Sequence, residues 1–454
     1  MSSYITDAVK TYEEAVGYIL EIPKFAKKNS MEHTKLFLGH MKKSAEYQAL
    51  TALRQDVRTI HVAGTNGKGS VCAYLRSIIQ EAGFSTGMFI SPHLVTMRER
   101  FVINGEMVSE EEFLWAFWQV ADHLQCLPEA LEAIAYQPTF FEYLFFMAVM
   151  LFAKHRVAYE IWETGLGGRL DATNAIDEKD VCVITSIGYD HTEYLGGTLP
   201  EIATEKAGIF RKNVPAVFFE KEKCVTQTLE KCADLAETKA FSVSLRAIKE
   251  INSNHKTIDF SLQSNYYGYI RLSVSTIAWY QIENAVLAVL AIEQLPERDL
   301  ISLRALQEGI RKMKWEGRME EIMPSVYLDG AHNTDGIRAF LQTVERDGCE
   351  GERYLLFSMV REKQYQAVMD MIAGSMLFKV IGVVAILDNR ALPVEELADY
   401  FGQYTELQMR KYDRLESAVQ DMANSRRAQD RVYIVGSLYL AGEVKALLRR
   451  HLDD

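Results

Sequence analysis

A glycine-rich turn with one lysine is the part of this 454-residue chain best suited to hold phosphate groups. Residues 59–63 are apolar or β-branched except His61, the turn at 64–69 contains three glycines and Lys68, and apolar residues at helical spacing begin at Val71. A strand, a turn and a helix in this order direct backbone N–H groups and the helix dipole at bound anions, and a lysine adds a point charge. The spacing predicts a nucleotide-phosphate site, with a plain tight turn as the alternative.

Two further residues could place a metal ion beside those phosphates. Glu163 ends an apolar run and precedes a turn with three glycines at residues 165–168. Ligands of open α/β sheets bind at the carboxyl ends of strands, where a carboxylate can hold Mg²⁺ directly or through water. His191 follows another apolar run, at 181–187, and imidazole is an unusual but possible ligand for Mg²⁺. A solvated glutamate and a structural histidine are the plainer alternatives.

A second group of reactive residues lies far along the chain. Asp329 follows a short apolar run, His332 and Asn333 lie in the next turn, and Arg318 is just upstream. A carboxylate, an imidazole and a guanidinium at the edge of a second domain indicate an active site between domains, with local caps and turns as the alternative. Lys206 lies in a helix, and its spacing alone predicts only an exposed helix lysine.

Alternating strand-like and helical runs must position these residues. Strands are predicted at residues 88–90, 157–163, 181–187 and 214–219, and helices at 110–124, 140–154 and 281–294. Such alternation predicts a mainly parallel sheet covered by helices. A capping box at Thr198 and Glu201 predicts the start of another helix. Alternating short runs over 240–277 predict antiparallel hairpins.

A charged, polar passage at 296–316 predicts a domain boundary. Beyond it, further strands are predicted at residues 325–328, 354–358, 380–387 and 431–435. We therefore predict an α/β protein with two domains, residues 1–312 and 313–454, the second with the smaller sheet.

Composition limits the partners and the compartment. The net charge of −12, without a basic stripe, disfavours nucleic acid as a partner. The six cysteines form no Cys-x-x-Cys pair, which indicates reduced thiols in a cytoplasmic protein. The N-terminus lacks the pattern of an export signal, and the apolar stretch 140–153 is interrupted by Glu142. That stretch is also shorter than the roughly 20 residues that a membrane crossing needs, so we expect no membrane association.

Seven short segments of the chain resemble the motifs of one protein family: residues 64–70, 91–94, 163–174, 190–196, 205–209, 329–333 and 436–440. In this order they resemble the motifs of the folylpolyglutamate synthase/dihydrofolate synthase family, a branch of the Mur ligase superfamily. The resemblance implies an N-terminal Mur-ligase-type P-loop ATPase domain and a smaller C-terminal Rossmann-like α/β domain, with the active site between them. It also implies ATP-dependent addition of L-glutamate to a folate through an acyl phosphate.

The resemblance further assigns roles to individual residues. The ATP phosphates are held by Thr65, Asn66, Gly67, Lys68, Gly69 and Ser70, with other nucleotide contacts at Asn284, Arg318 and Asp329. Two Mg²⁺ ions are bound by Ser91, Glu163, His191 and a carbamylated Lys206. Glutamate is received near His332, Ser437 and Tyr439, and the pterin-bearing substrate near Asp171, Ala172 and Thr173. The catalytic assignments are Lys68, His332 and Lys206.

The chain departs from the family pattern at a few positions. Glu316 and Thr334 stand where the family usually has proline, and Leu144 and Phe145 occupy a stretch that often carries a threonine. Residues 359–364 replace a common glycine and Asp-Lys-Asp sequence. These positions concern domain closure and substrate preference rather than phosphate or metal binding.

The sequence leaves several functional alternatives open. We expect a bifunctional enzyme that glutamylates tetrahydrofolate and also dihydropteroate, acting as a monomer on small molecules. The alternatives are a monofunctional folylpolyglutamate synthase, a Mur-type ligase for another acceptor, a nucleotide-binding module without ligase activity, and a kinase. A requirement for a monovalent cation stays open.

Overall fold

The computed structural model describes residues 9–23, 29–54, 56–361, 364–404 and 408–453. In this part of the chain, strands form three sheets, of eight, three and six strands. We call the part that carries the first two sheets the first lobe, and the part that carries the six-stranded sheet the second lobe.

The strands of the first lobe are β1 (Arg58–Ala63), β2 (Thr86–Phe89), β3 (Phe101–Ile103), β4 (Glu106–Met107), β5 (Tyr159–Glu163), β6 (Val181–Ile184), β7 (Ala216–Phe219), β8 (Ala240–Val243), β9 (Ile248–Ser253), β10 (Ile258–Gln263) and β11 (Tyr269–Val274). Its helices are α1 (Tyr12–Glu21), α2 (Met31–Lys43), α3 (Ala45–Thr51), α4 (Lys68–Glu81), α5 (Glu110–Gln125), α6 (Glu129–Glu132), α7 (Phe140–Lys154), α8 (Thr192–Leu195), α9 (Leu199–Ala207), α10 (Lys223–Leu235), α11 (Tyr280–Ile292) and α12 (Leu303–Lys312).

The strands of the second lobe are β12 (Glu320–Met323), β13 (Val326–Leu328), β14 (Arg353–Phe357), β15 (Val380–Val384), β16 (Gln408–Tyr412) and β17 (Arg431–Val435). Its helices are α13 (Thr334–Arg346), α14 (Tyr365–Gly374), α15 (Val394–Phe401), α16 (Leu415–Ser425) and α17 (Leu438–Asp453).

The eight-stranded sheet has the order β4-β3-β2-β5-β1-β6-β7-β8. The strands from β2 to β8 in that order run parallel, and only β3 and β4 at one edge are antiparallel. In β1, Val62 pairs with Glu163 and Ala63 pairs with Ile184. The carboxyl ends of β2, β5, β1 and β6 therefore lie together at one edge. The prediction of a mainly parallel sheet is confirmed.

The antiparallel segment begins later than the sequence indicated. Strands β9, β10 and β11 form the predicted antiparallel sheet, but β8 pairs parallel with β7 and extends the large sheet. The prediction of a hairpin was wrong for residues 240–243. A four-residue strand that is only half-buried on both faces carries no local signal for the direction of its partner.

The second lobe is the smaller α/β unit that the sequence predicted. Its sheet has the order β12-β13-β17-β14-β15-β16, and only β12 is antiparallel to its neighbour. The four central strands lie at the predicted places. Sequence patterns missed β12 and β16 because these edge strands are half-exposed and polar and lack an apolar run.

Helices cover both faces of the large sheet. Apolar residues of α4, α11 and α12 pack with the three-stranded sheet in one core, those of α1, α2, α5 and α7 form a second, and those of α9 and α10 form a third. Helix α12 lies within the passage assigned to a boundary, and it packs so closely on α4 that a Cβ on Gly309 would lie 2.4 Å from the Cα of Ile78. The proposed division at 312/313 falls between α12 and β12.

The most apolar helix, α7, is buried within the first lobe, as predicted. Among the described helices, none combines the length and the apolar character that a membrane crossing requires.

Candidate active site

We call residues 64–69, which run from the end of β1 into α4, the phosphate loop. Its glycines lie where a larger residue would not fit. Gly67 is the N-cap of α4 and has a left-handed φ of 89°. A Cβ on Gly67 would lie 2.5 Å from Oδ1 of Asn284, and one on Gly69 would lie 2.7 Å from the ring of Trp315. Because the cap residue has no side chain, the N–H groups of the first turn stay available to an anion.

The end of β6 braces this loop from the side. The Thr65 hydroxyl donates to the carbonyl of Gly188 at 3.2 Å, and the N–H of Gly188 lies 3.1 Å from the same hydroxyl oxygen. The Thr185 hydroxyl donates to the carbonyl of Asn66 at 2.8 Å. On the α11 side, Gln281 donates to the buried Ser70 hydroxyl at 3.2 Å. The loop is thus fixed before any nucleotide binds.

Two lysines converge on one carbonyl of the loop. Lys68 Nζ donates to the carbonyl of Gly64 at 3.1 Å and to that of Thr65 at 3.3 Å. Lys206 Nζ donates to the same Gly64 carbonyl at 2.7 Å. Lys206 is only 4% exposed, and burial, helped by the charge of Lys68, lowers its pKa to about 7. The interpretation of Lys206 as an exposed helix lysine was wrong, because α9 is turned toward the loop.

A buried carboxylate lies beside these amines. Glu163 accepts the N–H of Ser91 at 3.2 Å, which joins the ends of β5 and β2. Burial raises the pKa of Glu163 to about 7, and the charge of Lys68 opposes that rise. A bound cation would stabilise the negative charge of Glu163 in place of the water that burial excludes, so the Glu163 oxygens and the Ser91 hydroxyl fit Mg²⁺.

His191 lies at the rim of this group. It has a left-handed φ of 48°, its side chain is 56% exposed, and its ring lies 3.7 Å from the carboxylate of Asp190. Within the described residues no cluster of three His, Cys, Asp or Glu side chains could hold a metal alone. Mg²⁺ at this site would accordingly need phosphate oxygens or water among its ligands.

The second lobe presents a complementary turn after β13. The Asp329 carboxylate accepts the N–H groups of Ala331 and Met319 at 2.8 and 3.0 Å, and the hydroxyl of Tyr280 from the first lobe at 2.6 Å. Burial raises the pKa of Asp329, and the nearby charge of Arg318 opposes the rise. Asp329 is therefore fixed by contacts from both lobes.

The adjacent turn after β17 holds the other candidates of the second lobe. The N–H of Gly436 donates to the carbonyl of Ala331 at 3.2 Å, which places the Ser437 turn beside the His332 turn. The Ser437 hydroxyl accepts the N–H of Tyr439 at 3.1 Å. The phenol of Tyr439 accepts Arg390 at 2.8 Å. Arg390 was missed, since an exposed loop arginine carries no sequence signal.

The two lobes meet directly at the phosphate loop. The side-chain amides of Asn66 and Asn333 form two reciprocal hydrogen bonds, each of 3.1 Å. Asn333 also caps α13 by accepting the N–H of Gly336 at 2.8 Å, and it donates to Asp190 at 3.3 Å. The turns that carry candidate residues in the two lobes are thus in contact.

Comparison with known proteins identifies the family. The Mur ligase middle domain matches residues 62–292, and the Mur ligase glutamate ligase domain matches residues 317–438. The dihydrofolate synthase/folylpolyglutamate synthase of Bacillus subtilis is 33% identical, over 96% of this chain and 99% of that relative. The chain belongs to the dihydrofolate synthase/folylpolyglutamate synthase family of Mur ligases.

Solved structures of this family share the whole fold. The structure of E. coli FolC in complex with DHPP and ADP is 25% identical and has a TM-score of 0.81, with 98% of this chain and 99% of that chain covered. The bifunctional folylpolyglutamate synthase/dihydrofolate synthase from Yersinia pestis is 26% identical, with a TM-score of 0.80 and coverage of 97% and 99%.

The positions that depart from the family pattern have identifiable contacts. Glu316 forms ion pairs with Lys445 at 2.9 Å and Arg449 at 3.1 Å. Thr334 is the first residue of α13 and donates to Gln364 at 3.0 Å. The aliphatic and aromatic side chains of residues 144 and 145 are fully buried. Residues 362–363 of the altered segment 359–364 lie outside the described residues.

The stretch that resembles the family's pterin region is buried and internally bonded. Asp171 accepts the N–H groups of Gly165 and Leu166, each at 2.9 Å, and the Thr173 hydroxyl at 2.5 Å. Nε2 of His61, on β1, lies 2.8 Å from the same hydroxyl, and because that hydroxyl gives its own hydrogen to Asp171, the imidazole must be the donor. Together with the buried Ala172, this chain of bonds fixes the glycine turn after Glu163. Nothing in the sequence marked His61 for this role.

Thr173→Val is expected to lower the free energy of unfolding by about 2–3 kcal/mol. The substitution keeps the shape but removes a hydrogen bond to a buried carboxylate and leaves His61 without its acceptor. Urea unfolding measures the change. Thr228→Val, at a hydroxyl near the surface of α10, is the control and should cost under about 0.5 kcal/mol. Equal losses in the two variants would contradict the proposed bond chain.

Proposed function

We propose that this protein is an ATP- and Mg²⁺-dependent ligase that adds L-glutamate to tetrahydrofolates and also to dihydropteroate. The observation that carries the proposal is the contact of the two lobes at the Asn66–Asn333 amide pair. On the side of the first lobe lie the phosphate loop, Glu163 and Lys206, and on the side of the second lobe lies the Asp329–His332 turn. The names of the Bacillus relative and of the Yersinia structure support both activities.

A carboxylate is a poor electrophile, so the folate carboxylate must be activated before an amine can attack it. An oxygen of the folate carboxylate attacks the γ-phosphorus of ATP, the bond to the β-phosphate oxygen breaks, and ADP leaves. The amine of glutamate then attacks the acyl carbon of the resulting acyl phosphate. Inorganic phosphate leaves with the bonding electrons, the amine loses a proton, and an amide remains.

The first lobe would bind the nucleotide. In this proposal the backbone of residues 64–70 surrounds the phosphates, and Lys68 moves from the Gly64 carbonyl to the β- and γ-phosphate oxygens. Asn284 lies against Gly67, and Arg318 and Asp329 reach the nucleotide from the second lobe. Cations on both sides of the transferred group stabilise the charge that develops there.

Mg²⁺ would neutralise the phosphates and the attacking carboxylate. Ser91 and Glu163 would hold a first ion, and His191 and carbamylated Lys206 a second. The E. coli complex with ADP supports nucleotide binding by this chain.

The substrates would approach from the two lobes. We place the glutamate near His332, Ser437 and Tyr439. The pterin would lie near the turn after Glu163. Asp171 and Thr173 are buried, so they would affect pterin binding by fixing the shape of this turn. Every residue assigned to the site lies in one chain, so the proposal requires no more than a monomer, and six cysteines without a disulfide fit a reducing compartment such as the cytoplasm.

An acceptor assay tests the proposal. Purified protein is given ATP, Mg²⁺, labelled glutamate and either dihydropteroate or tetrahydrofolate, and ADP release and amide formation are measured together. Amide formation with both acceptors is expected. Activity with tetrahydrofolate alone would indicate a monofunctional folylpolyglutamate synthase. ATP binding without glutamate-dependent ADP release would indicate a nucleotide-binding module and overturn the proposal.

A further inference from the structure

A loop of the first lobe lies in direct contact with the last helix of the second lobe. Residues 90–96 leave the end of β2 and run against α17. The carbonyl oxygen of Leu94 approaches this helix so closely that a Cβ on Gly442 would lie 2.2 Å from it. The Leu94 side chain also packs against a core cluster of the second lobe.

Gly442 is the residue of α17 that permits this approach. Glycine in a helix interior is unfavourable relative to alanine, because it loses more conformational freedom on folding. A glycine at this position is explained if the backbone of another segment must come near. The contact with Leu94 supplies that reason.

The same loop is organised around one carboxylate. Glu99 accepts the N–H of Leu94 at 2.7 Å, that of Val95 at 3.2 Å and that of Thr96 at 3.2 Å. Arg449 of α17 then donates to Glu99 at 3.2 Å. Arg449 of the second lobe is therefore bonded to the same carboxylate, Glu99, that fixes the backbone of this loop.

Arg449 also connects this contact to the segment between the lobes. Its other nitrogen donates to Glu316 at 3.1 Å, and Lys445, on the preceding turn of α17, pairs with Glu316 at 2.9 Å and with Glu320 at 2.6 Å. Arg449 is 39% exposed, so a single ion pair would contribute little to the stability of this contact. Together, however, Arg449, Lys445 and their acidic partners form a network of charges, which contributes more than an isolated pair.

The near end of the loop reaches the candidate metal site. The N–H of Ser91 donates to the buried Glu163 carboxylate at 3.2 Å. Only two residues separate Ser91 from Leu94, so a shift of Leu94 along α17 displaces Ser91.

We propose that Gly442 and Arg449 are positioning residues, which dock α17 on the 90–96 loop and thereby set Ser91 for metal binding. Binding of the divalent ion then depends on the placement of the second lobe. This inference rests on the proposed function, in which Ser91 and Glu163 bind Mg²⁺.

Metal affinity of the full chain tests the inference. Binding of Mn²⁺ in the presence of the ATP analogue AMPPCP is measured by electron paramagnetic resonance, together with the melting temperature. Gly442→Ala should weaken Mn²⁺ binding by about tenfold, as loss of outer-shell support does in metal sites. Gly39→Ala is the matched control, since Gly39 lies inside α2 with nothing near its missing Cβ, and it should leave the affinity unchanged.

A second variant keeps the test decisive if Gly442→Ala does not fold. Arg449→Met should also weaken Mn²⁺ binding, Arg449→Lys should restore part of it, and Arg450→Met, at the exposed neighbouring position, should have no effect. Unchanged Mn²⁺ affinity in folded Gly442→Ala, or in Arg449→Met where Gly442→Ala does not fold, would overturn the inference.

A third variant separates this inference from the proposed function. If Ser91→Ala weakens Mn²⁺ binding while the α17 variants do not, the metal assignment stands and only the coupling to α17 is wrong. If Ser91→Ala leaves Mn²⁺ binding unchanged, the metal assignment itself is wrong and the inference falls with it.

Discussion

Lys68→Ala should reduce glutamate-dependent ADP release by about a thousandfold or more, since it removes a preorganised charge from the transferred phosphate. Lys68 donates to the carbonyls of Gly64 and Thr65, within its own loop. Its ammonium therefore lies at the loop and has only a short way to move to the phosphate oxygens. Steady-state kinetics with saturating ATP and folate measure the effect.

The control for Lys68 is Lys223→Ala. Lys223 is likewise the first residue of a helix, α10, but it is exposed and far from the phosphate loop in the sequence. It should retain full activity. A fully folded Lys68→Ala protein with near-normal turnover would contradict the role assigned to Lys68.

Removal of CO₂ should inactivate the wild-type enzyme, and bicarbonate should restore it, if Lys206 carries a carbamate. Burial lowers the pKa of Lys206 from 10.5 to about 7, so much more of the amine is neutral at physiological pH than in an ordinary lysine. Only the neutral amine reacts with CO₂. The carbamate nitrogen keeps one hydrogen and can still donate to the Gly64 carbonyl. Lys206→Ala should lose about 10²-fold or more in activity, and bicarbonate should not restore it.

The rate of reactivation should depend on pH in a defined direction. Below a pKa of about 7 the neutral fraction falls about tenfold per pH unit, so reactivation by dissolved CO₂ should be slower at pH 6 than at pH 8. Carbon-13 NMR with labelled CO₂ detects the carbamate directly.

Lys179 provides the matched control for this experiment. Its amine is also buried, and burial lowers its pKa to about 7, but it donates to Asn174 at 2.7 Å and to the Ile209 carbonyl at 3.1 Å. These two acceptors take two N–H groups of Lys179, whereas a carbamate nitrogen keeps only one hydrogen, so a carbamate at Lys179 would leave one buried acceptor without its donor. Lys179→Met should keep both the carbon-13 signal and the response to bicarbonate. Persistence of the signal in Lys206→Ala would reject the carbamate at Lys206.

The sequence predicted those parts of the fold that local patterns encode. Helices α5 and α7 begin at the predicted residues, and the central strands of both large sheets lie where apolar runs indicated. Strand β16 and helix α12 were missed because an edge strand is half-polar and an amphipathic helix can resemble a charged linker. Local spacing predicted neither the direction in which β8 pairs nor the presence of the edge strands.

The amino-acid sequence by itself predicted the strand, the glycine turn and the helix of the phosphate loop, because local residue types specify these three elements. It also determined the family through an ordered set of short motifs. Only the tertiary structure decided that Lys206 is buried against the Gly64 carbonyl, that Asn66 meets Asn333, and that α17 touches the Leu94 loop. These contacts join residues more than 140 positions apart in the sequence. Their energies depend on burial and on distance in space, and neither can be derived from the spacing of residues along the chain.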